Sequence, residues 1–122
     1  MNSDELFEKA CLANNNGLWL VSARLFRRLI ELKDIRAFSW LADQYQHGKG
    51  VSQSQEKAIE LYLEAIALGD ANSAFNLGAC YLSGHHGIDQ DYEKGIHFMK
   101  LAEELGSELD VQRILDSYHN RM

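Results

Sequence analysis

The 122-residue sequence contains no proline, two cysteines, and no apolar run approaching the ~18 residues of a membrane span. Each shortage removes a class of protein. Cys11 and Cys80 share no CxxC spacing, so a disulfide scaffold or a cysteine zinc module is not expected, and both are read as reduced thiols. The N-terminal MNSDELFEKA is acidic and amphipathic, where a secretory signal would be basic and then apolar, which points to a cytoplasmic protein without a membrane role. Basic residues are also in short supply. Twelve Lys and Arg stand against eighteen Asp and Glu, a formal charge of −6, which argues against nucleic-acid binding. No segment alternates apolar and polar residues with the period of a strand. Hydrophobic residues at 46% and charged residues at 25% are ordinary for one folded domain.

What the sequence does contain is a repetition. GVSQSQEKAIELYLEAIALGD (50–70) and GIDQDYEKGIHFMKLAEELGS (87–107) agree at eight of 21 positions: Gly50/Gly87, Gln53/Gln90, Glu56/Glu93, Lys57/Lys94, Ile59/Ile96, Ala65/Ala102, Leu68/Leu105 and Gly69/Gly106. Unrelated segments would agree at roughly one or two, so the chain is read as a duplicated unit. Upstream, SWLADQYQHG (39–48) aligns with FNLGACYLSG (75–84) and pairs Leu41/Leu77, Ala42/Gly78, Tyr45/Tyr81 and Gly48/Gly84. The offset grows from 36 to 37 between the two halves, which makes His85 or His86 a one-residue insertion.

Each unit reads as two helices. Gly48 and Gly84 follow the first at a position suited to a left-handed residue, Ser54 and Asp91 are N-caps for the second, and Gly69 and Gly106 end it. LFRRLIELKD (25–34) falls one period before LYLEAIALGD, and DVQRILDSY (110–118) matches SAFNLGACY, so the flanks read as degenerate terminal units. The expected organisation is a cap unit over 1–36, repeats over 37–72 and 73–109, and a capping helix over 110–122. Small residues at Ala42, Ala65, Gly78 and Ala102 suit close helix crossings.

The pattern Leu-Ala/Gly-x-x-Tyr-x-x-Gly, a glycine turn ending Gly-Val or Gly-Ile, a Lys-Ala step and a closing Ala and Gly resembles the Sel-one-like repeat family, relatives of the tetratricopeptide repeat. Gly95 departs from the family's usual alanine, and its turn proline is absent. The resemblance implies an all-α fold, an α-solenoid of stacked antiparallel helix pairs with about seven helices in a right-handed superhelix. It implies a non-catalytic protein-binding module that recognises partners on the face lined by first helices. By position, the candidate partner-binding residues are Trp40, Asp43, Gln44, His47, Asn76, Ala79, Cys80, Ser83 and Asp116.

Chemistry has little support in the residues. His85 and His86 lack the further ligands of a zinc site, Gly48-Lys49-Gly50 lacks the length of a phosphate loop, and Asp89 and Asp91 sit where a helix N-terminus favours acids. No nucleophile motif occurs, so neither catalysis nor a cofactor or metal is expected. Charge is uneven, however. Arg24, Arg27, Arg28, Lys33 and Arg36 outnumber the acids of residues 18–36, whereas seven acids face Lys94 and Lys100 over residues 84–110. The arginine ridge at 24, 27 and 28 reads as a solvated face, or as an anchor for an acidic partner or a second copy. The most concrete expectation is a small inhibitor or immunity-type protein, a role in which the family's small bacterial members occur, that neutralises a basic toxin or enzyme. It would act as a monomer or weak homodimer. Alternatives are an adaptor for an endogenous peptide or helix and, from another class, a metal-binding or hydrolytic protein.

Overall fold

The structure is a computed structural model that describes residues 1–85 and 87–119; His86, one of the two candidates for the inserted residue, lies outside them. Seven helices and no strand occur among the described residues: α1 (Ser3–Asn15), α2 (Trp19–Glu31), α3 (Arg36–His47), α4 (Gln55–Ala67), α5 (Ala71–Ser83), α6 (Tyr92–Glu104) and α7 (Val111–His119). The chain packs as two compact units, Met1–Ala65 and Ile66–Met122, divided within the last turn of α4.

In the first unit, periodic apolar positions bury Ala10, Ala23, Phe26, Leu29, Ala37, Phe38, Leu41 and Ala42. Trp40 stacks on Phe26 with centroids 5.5 Å apart, and Phe7 meets both rings edge-on at 6.4 Å. The start of α3 is tied to α1 by Arg36. Its guanidinium meets Asp34 at 2.7 Å and Asp4 at 3.0 Å and lies 4.4 Å from the Phe7 ring centre.

The second unit is built around Ala74, Leu82, Met99, Ala102, Val111 and Leu115, with Ile66, Phe75, Ile96 and Ile114 packed against them. Its tightest approach is between α5 and α6. A Cβ on Gly78 would stand 3.1 Å from the Gly95 carbonyl and from Met99, and a Cβ on Gly95 would stand 2.6 Å from the Leu82 side chain. Gly95, which departs from the alanine usual in the resembling family, is therefore a steric fit to the buried Leu82 and not a weak point of α6.

Both repeat turns close with the same bonds, which accounts for Tyr45/Tyr81, Gly48/Gly84, Gln53/Gln90 and Lys57/Lys94 among the identities in the sequence. Gly48 and Gly84 adopt left-handed φ values of 65° and 69° and end α3 and α5. The Gln53 amide then donates to the Gln46 carbonyl and the Gln90 amide to the Leu82 carbonyl, each at 2.7 Å. The chain returns through Ser54 N–H to the Tyr45 carbonyl at 2.9 Å and Asp91 N–H to the Tyr81 carbonyl at 2.8 Å. Ser54 and Asp91 next cap their helices by accepting from the N–H of Lys57 and Lys94, both at 3.1 Å. Those two lysines lie 5.4 Å from the ring centres of Tyr45 and Tyr81, a cation–π contact made twice. Asp91 is thus a cap, whereas Asp89 is exposed and caps nothing.

Candidate functional site

A binding face needs side chains that the fold does not consume. Positions assigned to the first-helix face divide sharply on that criterion.

In the first unit, Asp43 and His47 are exposed on α3 one turn apart, with the imidazole Nδ1 3.2 Å from the Asp43 carboxylate and 2.9 Å from its backbone carbonyl. Trp40 is half-buried and its indole is stacked into the Phe7–Phe26 cluster. Gln44 corrects the sequence reading: it has no exposed surface. Its Nε2 shares two hydrogens among three acceptors, the Trp19 carbonyl at 2.9 Å, Ser22 Oγ at 3.0 Å and the Lys49 carbonyl at 3.0 Å. It is an internal clamp between the start of α2 and the turn after α3. A partner cannot touch it. The reason is its place in the stripe with Leu41 and Tyr45, from which its amide reaches the Trp19 and Lys49 carbonyls.

In the second unit, Asn76 is exposed, Ala79 is half-buried against the core, and Ser83 donates to the Ala79 carbonyl at 2.8 Å. Cys80 is 8% exposed and offers a partner almost nothing. Asp116 is exposed on α7 and accepts from Gln112 at 2.9 Å. No residue of α5 carries a formal charge, so the acids of this unit stand on α6, in the turns and on α7.

The exposed first-helix positions Asp43 and His47 become Ala79 and Ser83 one repeat later, while the glycine, glutamine, tyrosine and lysine of the two turns are the same.

Two depressions accompany these faces. One, of about 460 Å³, lies along α7 and is lined by Phe75, Leu109, Ile114 and Tyr118 with Asp110 and Arg113 at its edge. The other, of about 370 Å³, is a groove in the first unit between α2 and α4 over a floor of Ile30, Leu41, Tyr45 and Leu61. Sequence reasoning passes over this groove. The available signal is that Leu61 occupies the position held by Phe98 one repeat later.

Among the described residues no three His, Cys, Asp or Glu side chains gather closely enough to hold a metal ion. His85 is an exposed turn residue. Burial pushes the Cys11 thiol up from its ordinary value, against a smaller opposing pull from Arg36, so it is not an activated nucleophile. Among the described residues neither Cys11 nor Cys80 forms a disulfide. The arginine ridge is partly engaged: Arg27 donates to the Tyr45 hydroxyl at 3.0 Å and Arg28 pairs with Glu31 at 3.1 Å. No helix of the described residues is long and apolar enough to cross a membrane.

Residues 39–70 and 71–107 each match the Sel1 repeat. Among solved structures, the chain is similar to a Sel1 repeat protein from Oxalobacter formigenes, with a TM-score of 0.72 and 20% identity over 87% of this chain and 44% of the other. It is similar to the Helicobacter pylori cysteine rich protein B, with a TM-score of 0.66 and 21% identity over 93% of this chain and 94% of the other. A protective antigen of uropathogenic Escherichia coli strains displaying an SLR fold gives 0.62 and 24%, over 88% of this chain and 26% of that one. At such identities the likeness concerns the fold, and the chain spans less than half of the Oxalobacter protein. Comparison with curated protein sequences gives no match.

Proposed function

This chain belongs to the Sel1 repeat family, whose members are protein–protein interaction modules, and from that premise we propose that it is a non-catalytic binding protein of the inhibitor or immunity type, directed at a basic toxin or enzyme. The observation that carries the reading is the division of labour within the repeat. Shared residues, Tyr45/Tyr81, Gly48/Gly84, Gln53/Gln90 and Lys57/Lys94, close the turns in both copies, and the exposed first-helix residues, Asp43 and His47 in one copy and Asn76 in the other, differ from their counterparts. A surface free to vary on a fixed frame is what a recognition protein needs.

The charge supports a basic partner. The second unit contributes nine acids against four basic residues, and long-range attraction of that sign speeds encounter without requiring the acids to lie in the contact. The test is capture of the partner from the native cell, followed by association rates at increasing salt. A basic partner whose association slows by roughly tenfold or more from low to high salt supports the reading. Capture should fail for Asn76→Arg with an unchanged melting temperature. A salt-indifferent apolar peptide would instead establish the adaptor reading, and unaltered capture by Asn76→Arg would remove α5 from the surface.

A further inference from the structure

From the groove between α2 and α4 we infer a second docking site, separate from the first-helix face, whose occupant is a segment of another protein that presents an apolar or aromatic side chain flanked by Lys or Arg. The floor is Ile30, Leu41, Tyr45 and Leu61, and its volume of about 370 Å³ is at the small end of the range for ligand sites, room for one or two side chains. The second repeat shows what a filled version looks like. There Phe98 stands at the position of Leu61 and lies flat on Tyr81, centroids 5.9 Å apart and planes inclined by 11°. The shorter Leu61 leaves space beside Tyr45 that no side chain of the first unit takes.

Charge selects the occupant. Both cations at the rim are drawn to Tyr45, Arg27 at its hydroxyl and Lys57 over its ring, and Glu31 is paired with Arg28. Glu60 and Glu64 remain, exposed one turn apart on the α4 wall, with neither an ion pair nor a side-chain hydrogen bond among the described residues. Two like charges at i and i+4 weaken a helix, and a cation placed between them relieves that repulsion. The second repeat has His97 and Leu101 at these positions, so the acidic pair belongs to the open groove alone. An apolar anchor with adjacent cations matches both the floor and the wall, whereas an acidic segment would meet Glu60 and Glu64.

The probe is an acetylated and amidated hexapeptide, Lys-Arg-Phe-Leu-Arg-Lys, titrated into the ¹⁵N-labelled full chain, with Glu-Glu-Phe-Leu-Glu-Glu as its charge-reversed control. Saturable shifts centred on Ile30, Leu41 and Leu61, absent with the control, are expected. Glu60→Gln combined with Glu64→Gln should weaken binding by about fivefold or more. Leu61→Phe should fill the groove as Phe98 does and abolish binding without lowering the melting temperature. Asn76→Arg should leave the titration unchanged, which separates this site from the first-helix face. Absence of binding at millimolar peptide, shifts scattered over the surface, equal binding of the control, or full binding by the Leu61→Phe chain would each overturn the proposal.

Discussion

Gly50 is held by two constraints at once. Its φ is 74°, and a Cβ there would lie 2.4 Å from the carbonyl carbon and oxygen of Trp19, backbone atoms that no rotamer change can move. Left-handed strain and overpacking against backbone each contribute ~1–3 kcal/mol, so Gly50→Ala is expected to lose about 2–6 kcal/mol in urea unfolding. A change below 0.5 kcal/mol, on the scale of a plain surface substitution, would contradict the contact. Asp34 gives a residue-scale prediction in pH. The Arg36 hydrogen bond outweighs burial and holds its carboxyl below the ordinary value of 3.8. A depressed folded-state value means that the ionised pair contributes stability above the unfolded value, and that this contribution fades as pH falls through the folded one. Asp34→Asn should therefore be less stable at neutral pH by roughly 1 kcal/mol and lose less on acidification below pH ~4. Parallel acid unfolding curves for the two proteins would refute it.

Among elements, the joint between α5 and α6 is the most demanding. Alanine is the better helix former by about 1 kcal/mol, yet Gly95→Ala is expected to destabilise the protein because its Cβ would meet Leu82, which has no exposed surface into which to retreat. In a Leu82→Ala background the same substitution should become neutral or stabilising, and a thermal double-mutant cycle measures the difference. The end of α2 offers the converse case. Lys33 takes φ 61° where the later repeats have Gly69 and Gly106 at 93° and 92°. Lys33→Gly should raise stability by roughly 0.5–1 kcal/mol, the left-handed penalty of a side chain less the entropy of glycine. A lowered melting temperature would show that the lysine side chain has a task of its own.

These elements also mark how far sequence reasoning reached. Helix ends were legible because capping is local: Ser54, Asp91, Gly48 and Gly84 act within a few residues of where they stand. The sequence expectation of about seven helices in an all-α repeat fold agrees with the seven among the described residues for the same reason, since period and punctuation survive without tertiary knowledge. Gln44 was misassigned because a polar side chain in an apolar stripe announces neither its burial nor its acceptors, which come from Trp19 and Ser22 more than twenty residues away. The sequence shows Gly95 only as a departure from alanine, because its reason, Leu82, lies on another helix. The groove stayed hidden because it is a difference in size between Leu61 and Phe98, and only packing turns a size difference into a space.

For the molecule as a whole, Gln44 is the point where one polar side chain governs the most structure, because three elements of the first unit meet at its amide. Gln44→Leu keeps the volume but takes the amide donor from the Lys49 carbonyl and from that of Trp19, which keeps the Ser22 hydroxyl, with an expected loss of about 1–3 kcal/mol. The two tryptophans make that loss selectively visible. Trp19 and Trp40 both belong to the first unit, Trp19 through its bonded carbonyl and Trp40 through its stack on Phe26, while the second unit has none. Indole emission is consequently a one-sided gauge, blind to half of the polypeptide, whereas far-ultraviolet dichroism samples every helix. In the Gln44→Leu protein the emission-detected melt should fall by more than the dichroic one, and a binder that quenches indole light announces which half it has reached.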